Sequence, residues 1–244
     1  MIDVDDAGHR LQVEQLVAAY GPDIDGLCRA CLTDLPGIGG VGVTMMTPQT
    51  QQVRYASDPV SARVEQLQFL LGEGPCRDAY AAAAPVLADD LREPTWFERW
   101  PAFTPAALMA GAQAIFALPL GIGATGMGVL DLYRDTPGEL PASSLAYARV
   151  LAGAVIELIL AETAAHEDSD DPPQYGGAGD PRLHRAAVHQ ATGMISVQLG
   201  VPVEEALARL RAHAFAAGRD LDELAADVVA RRLRFDTLAD DEDR

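Results

Sequence analysis

Residues 166–180 read HEDSDDPPQYGGAGD, acidic at first and then rich in proline and glycine, with no apolar periodicity to bury. Such a stretch is a linker. It constrains the fold because the two sides of it follow different rules. Residues 1–165 mix the two-residue and 3.6-residue apolar periods, whereas residues 181–235 carry only the helical one. Two domains are therefore expected, at 1–165 and 181–235, followed by an acidic tail at 236–244. With 244 residues, 49% of them hydrophobic, each side has enough apolar surface for a core.

In the first segment Leu11, Leu16, Val17 and Tyr20, then Ile24, Leu27 and Cys31, predict two helices broken at Gly21-Pro22. Strand-like runs at 41–46 and 52–56 flank a turn at Pro48. Asp58-Pro59 is an N-cap and first-turn pair for a helix to about Leu71, ended by Gly72. A short strand at 85–87, a helix at 103–110, strands at 114–120 and 127–133, and a helix capped by Ser143 or Ser144 and running to Ala165 complete it. The order ααββαβαββα predicts an α+β domain, an antiparallel sheet covered by helices.

The second segment predicts a three-helix bundle. Asp180-Pro181 caps a helix whose apolar stripe runs Leu183, Ala187, Ala191, Met194, Ile195 and Gln198/Leu199, with Gly200 as its stop. Pro202 opens the next, which places Val203, Ala206, Leu207, Leu210 and Ala214 on one face and ends at Gly218. Asp220-Leu221-Asp222-Glu223 resembles a capping box for the third, which buries Leu221, Leu224, Ala225, Val228 and Val229.

Charge narrows the function. The formal net charge is −18, from 36 acids against 18 cations, and every cation is arginine; lysine and asparagine are absent. That bias fits a GC-rich, actinobacterial type of genome. A field of this sign repels phosphate, so general coating of nucleic acid is excluded and any nucleic-acid site must be local. Residues 1–180 carry −16 and residues 181–244 only −2; residues 182–235 hold 8 Arg against 6 acids, with three of the five histidines. The longest apolar stretch, 150–161, is interrupted by Glu157 and falls short of the ~20 residues of a membrane span, so no membrane is expected. The N-terminus is acidic where a signal peptide would be basic, which predicts a cytoplasmic protein. Three cysteines make no disulfide framework.

Catalytic patterns are sparse. Cys28 and Cys31 have CxxC spacing inside an amphipathic helical pattern, which reads as buried structural thiols. Cys76, after the Gly72-Glu73-Gly74-Pro75 turn, is expected to be more exposed and is the candidate for thiol chemistry or for lining a ligand pocket. No histidine pair has metal-ligand spacing: His184 and His189 are i,i+5 on one helix. The glycines at 121, 123 and 126 match GxGxxG but sit between two strands and open no helix, so they read as a hairpin. No catalytic residue, metal or cofactor is expected.

The blocks RAAVHQATGMISVQLG at 185–200, VEEALARLR at 203–211 and RDLDELAADVV at 219–229 resemble the ANTAR RNA-binding domain of bacterial transcription antiterminators. LGEGPC at 71–76, Arg99-Trp100-Pro101, and Pro119-Leu120 through Gly128 to Tyr133 resemble the GAF sensor domains found ahead of ANTAR in actinobacterial regulators. The resemblance implies a regulator that senses a small molecule or cellular state. It would bind paired RNA stem-loops so that a terminator hairpin cannot form, and it implies a homodimer. It places Arg185, Gln190, Ala191, Gly193, Met194, Arg211 and Arg219 on the RNA face, with His189 and His213 as weaker additions. Two positions depart from the family: Thr192, where a lysine is common, and Pro202, where a Ser or Thr cap is usual. The stripe Leu145, Ala148, Ala152, Val155 and Ile159 can pack a partner helix or the chain's own sheet. Two other functions fit the same residues. One is a GAF-type thiol reductase using Cys76 with Cys28 or Cys31; the other is a protein-interaction regulator that binds no RNA.

Overall fold

The computed structural model of the chain describes residues 5–47, 51–123, 125–167, 181–219 and 221–235, and their side chains over 8–47, 51–123, 125–164, 187–219 and 221–235. The chain divides into two compact units, Met1–Phe69 with Glu73–Asp170 and Leu70–Gly72 with Asp171–Arg244.

The first unit runs α1 (Asp5–Tyr20), α2 (Ile24–Asp34), β1 (Gly40–Met46), β2 (Gln51–Ala56), α3 (Pro59–Leu71), α4 (Pro75–Ala82), β3 (Val86–Ala88), α5 (Pro94–Arg99), α6 (Phe103–Ala110), β4 (Ala114–Ile122), β5 (Thr125–Arg134) and α7 (Ala142–Glu167). Its five strands form one antiparallel sheet in the order β2-β1-β5-β4-β3. Alternate side chains on a strand point to opposite faces. Val41, Val43, Phe116, Leu118, Leu130 and Leu132 therefore join Leu27, Cys28 and Cys31 of α2 and Leu151, Val155 and Leu158 of α7 in one apolar core. The intervening Thr44 and Asp131 face α3 on the other side, where they bond Glu65 and Gln68. With both faces covered, the central strands read as continuous apolar runs. Thr44 and Asp131 interrupt them, and Asp131, 3% exposed between Leu130 and Leu132, is the one that can carry charge.

Most expected elements are present. Asp58 Oδ1 accepts from the N–H of Val60 and Ser61 at the start of α3, and the glycines at 121–126 form the β4–β5 hairpin. Helices α4 and α5 are additions, each opened by a proline in its first turn. Ser143 and Ser144 do not cap α7, which begins at Ala142 with Leu145 N–H bonded to Pro141 O at 2.9 Å. From Ala142 to Ala164 this helix is long and apolar enough to cross a membrane by length and composition, which corrects the shorter stretch read around Glu157. A core helix meets the same description, and Ala148, Leu151, Ala154 and Val155 are wholly buried within this unit. The stripe Ala148, Ala152, Val155 and Ile159 thus packs the chain's own core rather than lying open for a partner.

The second unit is a bundle of α8 (Pro181–Leu199), α9 (Val203–Ala217) and α10 (Leu221–Val229). Its core is Val188, Ala191, Ile195, Ala206, Leu210, Ala214, Leu221, Leu224, Ala225 and Val228. On α8 the buried stripe is Val188, Ala191, Thr192 and Ile195, while Met194 and Leu199 are only half-buried. The expected α8 stripe was therefore rotated from the observed one. Gly200 and Gly218, at φ 64° and 59°, end α8 and α9 in the left-handed region glycine tolerates. Pro202 is the N-cap of α9, one position before the expected first turn. The Asp180 and Asp220 caps lie outside the described residues.

Candidate functional site

In the bundle, the solvent side of α8 presents Gln190, Gly193, Met194, Val197 and Gln198, spaced i, i+3, i+4, i+7 and i+8 so that they share a face. With Arg231 and Arg234 from the segment after α10 they line a concavity of about 660 Å³. Val197 is 85% exposed, and a Cβ at Gly193 would meet nothing within 4 Å, so the floor is apolar and open. Two features fix the arginine-bearing segment. Phe235 N–H donates to Gln198 Oε1 at 2.9 Å, and α10 terminates through Arg231 at φ 59°, with Arg231 N–H on Val228 O and Arg232 N–H on Asp227 O. A non-glycine residue in that region costs of order 1–3 kcal/mol.

The expected RNA-facing residues divide accordingly. Gln190, Gly193 and Met194 come together in the concavity. Ala191 is wholly buried in the bundle core, where a surface contact is impossible. Arg219 is held by Asp227 at 2.7 Å, and the same carboxylate takes Arg232. Arg211 is half-buried on α9 and is not among the lining residues. The side chain of Arg185 lies outside the described residues. His189 is exposed on α8, and the His213 ring lies 5.3 Å from that of Phe235. Thr192 is 2% exposed and donates to Val188 O at 2.7 Å, so this departure from the family pattern alters packing rather than the solvent-facing cations. Arg231 and Arg234 were missed by sequence reasoning. Their signal was the run Arg231-Arg232-Leu233-Arg234 just past the last apolar period.

In the first unit the distinctive motifs clip together. Glu73 Oε1 accepts from the N–H of Ala102 and Phe103 at 2.6 and 2.7 Å, capping α6. Asp78 takes Arg99 Nε at 2.6 Å and Trp100 Nε1 at 3.0 Å. Trp100, 1% exposed, stacks on Trp96 at 4.9 Å. The LGEGPC and Arg99-Trp100-Pro101 stretches are thus explained by structure.

Cys76 is the exception to this structural explanation and a correction: it is wholly buried in the first turn of α4, because the turn before it folds inward rather than out to solvent. Its N–H donates to Gln68 Oε1 at 2.7 Å, and its Sγ lies 3.6 Å from Met46 Sδ. Gln68 Nε2 donates to Asp131 Oδ2 at 3.0 Å, and Thr44 Oγ1 to Glu65 Oε2 at 2.7 Å. One ligand atom each from Glu65, Cys76 and Asp131 lie within 4.8 Å of one another. Burial first, then the charge of Asp131, pushes the Glu65 carboxyl well above the usual carboxylate range. Burial, with Asp131 and Glu65 beside it, raises the Cys76 thiol. Across the sheet, burial pushes Cys28 up to about 12 and raises Cys31 as well. These two thiols belong to the core on the opposite face, so the sheet separates them from Cys76.

The chain thus joins a helix-clad antiparallel sheet to an all-α bundle that carries a cationic concavity. Residues 22–159 match the family model of the GAF domain and residues 182–229 that of the ANTAR domain. The chain belongs to the GAF domain family and carries an ANTAR domain after it. GAF domains are sensors and ANTAR domains are RNA-binding antiterminators, so the chain is regulatory in kind. No curated protein matches it. Among solved structures it is similar to the GAF domain from Acinetobacter phosphoenolpyruvate-protein phosphotransferase, at 12% identity over 65% of this chain and 97% of that one, TM-score 0.47. It is also similar to the GAF domain of a two-component sensor histidine kinase from Bacillus halodurans, at 11% identity over 59% and 96%, TM-score 0.44. A third is free methionine-R-sulfoxide reductase from Neisseria meningitidis in complex with its substrate, at 18% identity over 67% and 95%, TM-score 0.43.

Proposed function

We propose that the protein is a transcription antiterminator whose bundle grips paired stem-loops in nascent RNA and so prevents a terminator hairpin from forming, with the GAF domain supplying the signal. The concavity on α8 carries this reading. Unpaired loop bases are recognised by stacking and by hydrogen bonds to their edges, while arginines hold phosphate. Met194 and Val197 offer an apolar floor, Gln190 and Gln198 offer amides, and Arg231 and Arg234 stand at the rim. Gly193 leaves room for a close backbone approach. Two stem-loops held by two identical concavities would make the working form a homodimer, which light scattering with and without RNA tests.

The experiment is fluorescence anisotropy on RNA carrying paired hexaloop stem-loops, against the same stems with scrambled loops. Binding that depends on loop sequence supports the reading, and equal binding to both RNAs defeats it. Arg231→Gly sharpens the test, because glycine relieves the φ 59° strain while removing a cation. The variant is expected to fold at least as stably and bind RNA more weakly. The reductase alternative is disfavoured by the sheet between Cys76 and the other two thiols. It is disfavoured also by the raised thiols, since the thiolate is the nucleophile.

A further inference from the structure

We propose that Glu65, Cys76 and Asp131 form a binding site for one divalent zinc ion inside the GAF domain. The assignment stands apart from RNA binding. The three side chains come from α3, α4 and β5, and their ligand atoms converge within 4.8 Å of one another. In a tetrahedral zinc site, bonds of about 2.3 Å to sulfur and about 2.0–2.2 Å to oxygen set ligand atoms about 3.4–3.7 Å apart, so side-chain rotation must close the widest separation by at most about 1.4 Å. A second observation points to a ligand: Asp131 Oδ1, on a residue 3% exposed, has no N–H or hydroxyl donor among the described residues; the Glu65 carboxyl and the Cys76 thiol beside it can meet it only by holding a proton or sharing an ion. Buried acceptors in native structures almost always have a partner, and a metal ion supplies one.

The surroundings are arranged as they are around ligating groups. Gln68 holds both the Cys76 backbone and Asp131 Oδ2, and Thr44 holds Glu65 Oε2, which leaves the other oxygen of each carboxyl for an ion. Gly42 makes room for this: a Cβ there would overlap Glu65 Oε1. Gly74, at φ 130°, does the same for Gln68, since a Cβ would stand 2.8 Å from its Oε1. Groups that orient ligands in this way are worth 10–100-fold in metal affinity.

The donor set selects the ion. A thiolate is a poor ligand for calcium or magnesium, and two carboxylates are poor ligands for copper(I), whereas zinc accepts sulfur and oxygen together. Met46 Sδ, 3.6 Å from Cys76 Sγ, walls the sulfur side with another soft atom. Binding is ligand exchange without electron transfer: hydrated zinc loses water, and the thiol and any protonated carboxyl release their protons to solvent.

The test uses the reduced full-length protein and cobalt(II) as an optical surrogate. One equivalent of cobalt should give a thiolate-to-metal charge-transfer band, and one equivalent of zinc should abolish it. Cys76→Ser should remove the band, the double variant Cys28→Ser, Cys31→Ser should keep it, and Gln68→Leu should weaken affinity 10–100-fold. Asp131→Asn, nearly isosteric, should weaken cobalt binding while tryptophan fluorescence reports an intact fold. Absence of the band in the wild-type protein overturns the proposal, whatever the variants do. So does a band that survives Cys76→Ser or vanishes when Cys28 and Cys31 are replaced.

Discussion

Glu73→Ala isolates the clip that holds the GAF motifs together. In the wild type one carboxylate oxygen takes two backbone N–H groups, from Ala102 and Phe103, at 2.6 and 2.7 Å. Hydrogen bonds to a charged group are worth about 1.5–3 kcal/mol each, and losing a helix N-cap costs about 0.5–2 kcal/mol. The two bonds share one oxygen at a half-buried site, so the expected loss is about 2–3 kcal/mol. In a unit of this size each kcal/mol moves Tm by about 2–4 °C, which predicts a fall of roughly 4–12 °C. Both tryptophans of the chain, Trp96 and Trp100, lie beside the capped helix, so thermal unfolding followed by tryptophan fluorescence reads this unit selectively. Glu73→Gln keeps an acceptor and should recover more than half of the loss. A change below 1 kcal/mol in Glu73→Ala, or equal losses in the two variants, would refute the reasoning.

Three further outcomes are expected. Leu224→Ala removes a wholly buried side chain and should cost about 2–5 kcal/mol, most of what a bundle of this size has to spend. Residues 181–235 contain no Trp or Tyr, so far-UV circular dichroism should lose helix while tryptophan fluorescence stays unchanged. Replacing both Arg231 and Arg234 by alanine should lower the salt slope of RNA binding by about 1.4, at ~0.7 per phosphate contact on single-stranded RNA, measured by anisotropy from low to physiological salt. Burial works against ionisation of Asp58, but hydrogen bonds from Ser57, Tyr133 and the N–H of Ser61 and Val60 hold its carboxyl below the usual range. Its stabilisation is therefore present above the unfolded value of about 3.9 and is lost as pH falls through the lower folded one. Urea melts of Asp58→Asn should show a shallower loss of stability in that acid window than the wild type.

The fold was legible where local chemistry marks it. Asp58-Pro59, Gly21-Pro22, Gly200 and Gly218 each punctuate an element they were expected to punctuate. Helices α4 and α5 were not: Gly72-Glu73-Gly74-Pro75 read as a turn rather than as a helix start, and α5, six residues with none of them buried, has no core face to mark it. On α8, Ala191 and Ile195 are buried as expected, but Val188 and Thr192 fill the other core positions while Met194 lines an open face, so hydrophobicity alone set the stripe part of a turn off. Asp131 was visible as a lone charge in an apolar strand, but its neighbours Glu65 and Cys76 come from distant segments that only the tertiary fold brings together. The cluster contains no histidine, so no ligand spacing along the chain marks it. Arg231 and Arg234 lay beyond the last helical pattern, where periodicity has nothing to say.

Terminator read-through during in vitro transcription tests the central claim most directly. On a template with paired hexaloop stem-loops before an intrinsic terminator, the full-length protein should raise read-through. It should have no effect when the loop sequences are scrambled. Arg231→Gly, with the fold intact, should reduce the effect. Read-through that is unchanged by the protein, or raised equally on scrambled loops, would contradict the account.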